Sequence, residues 1–121
     1  MSNRSLVIST LVGTVLQVAM VVLGHTNPAI KNLFAVGGMG ISFLAGILYA
    51  VLARPVAKGA AAGGGAAAGA LCGFLGILVS FLLGDVPASL LALGSLSSGV
   101  TGAIGGVLVA LAGGGRSAVR A

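Results

Sequence analysis

Four long apolar stretches, none interrupted by Lys, Arg, Asp or Glu, constrain this chain more than any motif in it. They run over about 6–23, 33–53, 60–83 and 90–112, and every charged residue lies between or beyond them. At about 1.5 Å of rise per residue, each stretch made helical covers a hydrocarbon core of about 30 Å. Membrane β-strands need segments of only about 10 residues with alternating polarity, which these are not. A soluble domain carries about 25% charged residues. Here the figure is 6%, against 58% hydrophobic. Lipid is the solvent this composition suits. The expected fold class is an all-α integral membrane protein: a single transmembrane domain over 1–121, built as a four-transmembrane-helix bundle.

The basic residues fix an expected orientation. Net charge is +5, yet the cations stand singly at segment ends, with no basic run or aromatic interleaving to track nucleic acid. Arg4 precedes the first stretch, Arg54 and Lys58 follow the second, and Arg116 and Arg120 follow the fourth. A cytoplasmic N-terminus puts all five inside and leaves only His25, Lys31 and Asp85 in the other two loops. The positive-inside rule then places both termini in the cytoplasm, and a bacterial inner membrane is the expected residence. The first stretch exceeds a usual signal-peptide core and no A-x-A-like site follows it, so it reads as a retained span.

Turn chemistry marks the joints. Gly24 is placed to end the first span in a left-handed cap, with Asn27 capping the second and Pro28 at its first position. Gly84 and Asp85, ahead of Pro87, are placed to play the corresponding parts for the last two spans. Gly113-Gly114-Gly115 reads as the start of a flexible tail over 113–121. The two halves also look related. Leu11, Gly13, Leu23 and Gly24 recur as Leu71, Gly73, Leu83 and Gly84. With one loop residue deleted, Pro28, Ala29, Gly40, Gly46, Leu52 and Ala53 recur as Pro87, Ala88, Gly99, Gly105, Leu111 and Ala112. Duplication of one hairpin would relate two tandem helical hairpins by a pseudo-twofold along the membrane normal.

Small residues at four-residue spacing put a smooth groove on one face of each span. The ladders are Ser9 and Gly13; Gly38, Ser42 and Gly46; Gly65, Gly69 and Gly73; and Ser98, Gly102 and Gly106. Lipid tails are as apolar as Leu, so membrane helices associate through the close backbone approach such grooves allow. Packing within the bundle is the plain reading. An outward groove for a partner would be the Gly37–Gly40 region or Ala61–Gly69. The opposite faces, such as Leu11, Val15, Val18 and Val22, suit lipid.

Polar chemistry is sparse. Gln17 is the most polar side chain inside a span, expected either to bond across helices or to line a polar path. Ser95, Ser97, Ser98 and Thr101 form the densest hydroxyl cluster, but Ser and Thr satisfy themselves on their own helix's carbonyls. His25 and Asp85 hold equivalent positions in the two halves and are expected on the outer side, possible partners in a pH-sensitive latch, with Asp85 otherwise capping the fourth span or pairing with Lys31 and His25 a plain interfacial loop residue. One His and one Asp are too few for a protein-built metal site. The lone Cys72 reads as a small core residue. No Walker or dinucleotide fingerprint occurs among the glycines.

This doubled-hairpin, glycine-rich plan is similar to the four-span proteolipid subunits of rotary ATPases, and in size and span number to small multidrug exporters. Both depend on a membrane-embedded carboxylate, and no Asp or Glu lies within a span here. The likeness is architectural. The residues point to a non-enzymatic membrane protein without a cofactor. It would be an accessory, assembly or stabilising subunit packing against other membrane helices or a copy of itself. The alternative is a small passive channel or transporter-like facilitator, a homo-oligomer lined by Gln17 and the Ser95–Thr101 cluster.

Overall fold

The computed structural model describes residues 3–54 and 56–120, with side chains described through 112 except at 35. The chain is 88% helical without strands among the described residues. Five helices follow in order: α1 (Asn3–Thr26), α2 (Pro28–Lys31), α3 (Phe34–Leu52), α4 (Lys58–Leu82) and α5 (Ser89–Arg120). Asn3–Thr26, Lys58–Leu82 and Ser89–Ala112 are long and apolar enough to cross a membrane, while α3 is shorter, with an apolar part of Val36–Leu52. Arg4, Arg54 and Lys58 sit at helix ends on one side of the bundle, the Arg54 end; His25, Lys31 and Asp85 sit on the other, the His25 end.

The joints differ from the simple caps the sequence suggests. Gly84 is the left-handed residue, at φ 80°, and the only positive φ among the described residues. Around it Gly84 N donates to Phe81 O at 2.9 Å and Asp85 N to Ser80 O at 3.0 Å, the paired bonds of a Schellman cap. Gly24 stays helical, because α1 continues to Thr26 and the Phe34 ring packs where a Gly24 side chain would stand. Asn27 does cap, its Oδ1 accepting from Ala29 N at 3.0 Å, but it caps the one-turn α2, not α3. Asp85 does not cap α5; its carboxylate is engaged elsewhere. Nor does the chain leave the helix at the glycine run, since α5 continues through Gly113–Gly115 to Arg120. Glycine lowers helix propensity without forbidding the αR conformation, and no proline follows to stop propagation.

α3 and α4 form the centre, each packed against three long helices, while α1 and α5 stand at far corners and scarcely meet. This departs from the expected pseudo-twofold. That symmetry would match the α3–α4 contact with an equal α1–α5 contact. The reason is residue size, because closest approach goes where both helices are bare. A methyl on Gly69 would lie 3.0 Å from Gly102 Cα, one on Gly65 3.4 Å from Gly106 Cα, and one on Gly46 2.8 Å from Gly102 Cα. Side chains complete the fit. Tyr49 is fully buried against Gly64, within a cluster of Ala45, Ala68 and Cys72. A methyl on Gly13 would press on Cys72 Sγ at 2.9 Å. α1 buries Ser5, Ser9, Gly13, Gln17 and Val21, one residue per turn, and leaves Leu11, Val15 and Val22 exposed.

Candidate functional site

Three features at the His25 end hold what polar chemistry the bundle has. The first is an ion cluster. Asp85 Oδ2 pairs with His25 Nδ1 at 2.8 Å, and Asp85 Oδ1 accepts from Lys31 Nζ at 3.2 Å. The Asp85 side chain is 8% exposed, whereas those of His25 and Lys31 are 42% and 43% exposed. The hydrogen bond from His25, and then Lys31, hold the carboxyl below its ordinary range. One carboxylate thus ties the end of α1, the α2 turn and the α4–α5 connection. The sequence placed His25 and Asp85 together on one side; Lys31 completes the cluster.

The second feature is a knot around Gln17. Its Nε2 donates to Gly38 O at 2.9 Å and to Ser42 Oγ at 3.2 Å, and lies 3.9 Å from Cys72 Sγ. Ser42 Oγ and Cys72 Sγ each reach Gly69 O at 3.4 Å. α1, α3 and α4 are thereby cross-bonded at one level, around a Gln17 side chain that is 3% exposed. Glycine makes this possible: the side chain fits between Gly38 and Gly76, each with a bare Cα toward it. Cys72 takes part as a weak polar group as well as filling space.

The third is a cleft of about 510 Å³ at the His25 end. Phe34, Gly38 and Met39 of α3 form one wall; Leu90, Leu93, Gly94 and Ser97 of α5 form the other. α4 supplies the floor through Gly73, Gly76, Ile77 and Ser80, with Gln17, Met20 and Val21 of α1 beside it. Lys31 and Asp85 mark the mouth. The close glycine contacts between α3 and α5 lie in the other half, where Gly46 meets Gly102 and Gly105 meets Phe43 and Ile47. Toward the His25 end the cleft is lined instead by Phe34, which packs over Gly24 of α1, and by Met39, Leu90 and Leu93.

The remaining singled-out residues fall into place around these three. Every ladder position, Gly13, Gly38, Ser42, Gly46, Gly65, Gly69, Gly73, Ser98, Gly102 and Gly106, faces another helix of the same bundle. The Ala61–Gly69 face of α4 is taken up by α5 and Tyr49, and Gly37 and Gly38 lie under Met20. Gly40, Gly59 and Gly63 have open space where a side chain would be. Ser95, Ser97 and Thr101 bond back to Leu91, Leu93 and Ser97 carbonyls on their own helix. Ser97 and Ser98 line the cleft; Ser95 and Thr101 do not. Among the described residues no three of His, Cys, Asp and Glu converge as a metal set would require. Ser80, one of the hydroxyls the sequence places within the spans, continues the buried row of Cys72 and Gly76 at four-residue spacing. Comparison with protein-family models, with curated proteins and with solved structures gives no match.

Proposed function

We propose that the chain is a non-enzymatic integral membrane protein of four spans, with both termini cytoplasmic, that serves as an accessory or stabilising subunit by packing against other membrane helices. The observation that carries this reading is the pair Gly59 and Gly63. They lie one turn apart on the exposed face of α4 with nothing within 4 Å of where a side chain would stand. Among the described residues the other small-xxx-small ladders are filled from within the bundle, which leaves this strip for a helix from outside. The charge distribution supports the rest, since all described cations and Asp85 sit at helix ends and connections. The alternative, a small passive channel formed by a homo-oligomer lined by Gln17 and the Ser95–Thr101 cluster, has less support, since Ser95 and Thr101 bond back to their own helix and lie outside the cleft.

Native extraction in mild detergent followed by crosslinking and mass spectrometry tests the proposal. A defined membrane partner, or a second copy, should crosslink to wild type and be lost in Gly63→Leu without loss of the folded bundle. Recovery of wild type solely as an uncrosslinked monomer overturns it.

A further inference from the structure

The geometry points to the cleft between α3 and α5 as a binding site for a small, neutral, largely apolar molecule carrying a hydroxyl on an aromatic frame, a ligand of the phenol class. At about 510 Å³ the cleft has the size of a small-molecule site. Its walls are apolar, and no charge lies deeper than the Lys31–Asp85 pair at the mouth, which is already neutralised by mutual contact. An ionic ligand would have to be desolvated without a counter-charge.

The interior is nevertheless not uniformly apolar. Ser80 is 2% exposed, lies on the floor, and its buried Oγ has no hydrogen-bond partner. Gln17 Oε1 lies 3.4 Å from where a methyl would stand on either Gly38 or Gly76, both lining residues, while the Nε2 of the same amide takes the bonds to α3. Ser98, also buried, lies against Gly73 at the deep end. A hydroxyl is the smallest neutral group that can both donate to an amide oxygen and accept from a serine, which suits a site with only these few polar atoms. Met20, Met39 and Phe34 on the walls favour an aromatic body, through sulfur–ring and ring–ring contact. Met39 and Leu93, which line the cleft, are 41% and 63% exposed, so an apolar ligand can reach it from the side as well as past Lys31 and Asp85. This site is formed by one protomer and does not depend on the subunit reading above.

The test uses the full chain in lipid nanodiscs with 2-naphthol as fluorescent probe, empty nanodiscs supplying the partition background. Wild type should bind saturably, near one probe per chain, with naphthalene bound about tenfold more weakly for want of the hydroxyl. Ser80→Ala removes an unpartnered hydroxyl. It should leave the unfolding midpoint unchanged or raised, weaken 2-naphthol severalfold and leave naphthalene unaffected. Ser97→Phe, which fills the cleft from an exposed position, should abolish binding of both. Uptake no greater than in empty nanodiscs, as when an acyl chain holds the cleft, overturns the assignment. So does wild-type affinity for 2-naphthol in both variants.

Discussion

Single glycines in this chain have opposite values according to what they face. Gly102 meets Gly65 and Gly69 backbone, so a methyl there lands 3.0 Å from Gly69 Cα and has no flexible side chain to displace. Gly63 faces open space on the same bundle. Gly102→Ala should therefore destabilise by about 1–3 kcal/mol through overpacking, and Gly63→Ala should be neutral or raise stability by up to about 1 kcal/mol through helix propensity. Denaturant titration in mixed micelles reads both; equal effects would contradict the packing described. The same titration should give about 1 kcal/mol for Gln17→Leu, which removes the bonds to Gly38 and Ser42. Ser97→Ala, whose hydroxyl returns only to its own helix, should give no loss. The four-residue ladders were legible in sequence because helix geometry alone brings such residues to one face. Which glycines lack a partner was not, since that depends on where α5 crosses α4.

At the scale of elements, the three connections of the His25 end are joined through Asp85. Its carboxyl is held below the ordinary range, so its contribution is fully present above about pH 4, the usual carboxylate value. It is lost as pH falls through the lowered value. The unfolding midpoint of wild type should thus fall toward that of Asp85→Asn on going from pH 6 to strong acid, where the two converge. Added salt should shrink the difference at pH 6, because His25 and Lys31 are exposed and screened. A constant gap across pH would assign the variant's effect to something other than this charge. Sequence reasoning paired His25 with Asp85 from their matching places after Gly24 and Gly84. It then gave those two glycines the same cap, and only Gly84 takes it. The difference is tertiary: Phe34, returning over α1, packs on a helical Gly24.

For the whole molecule, the apolar stretches were readable because lipid tolerates no charge within a span, a constraint that acts residue by residue. The cleft was not readable. It depends on where α3 and α5 meet, and their close glycine contacts lie in the Arg54 half, at Gly46 with Gly102 and at Gly105. Likewise the relatedness of the halves does not carry into packing, where α3 and α4 share the centre and α1 and α5 scarcely meet. The account rests most heavily on α3, shorter than its neighbours yet required to cross if the chain makes four spans with both ends on one side. Single cysteines at Asn32, Ala57 and Val86, each in a Cys72→Ser background, can be labelled from either face of sealed vesicles with a membrane-impermeant maleimide. Four crossings predict that Asn32→Cys and Val86→Cys label from one face and Ala57→Cys from the other. Labelling of Ala57→Cys from the same face as Asn32→Cys would mean that α3 does not cross, and would contradict the account.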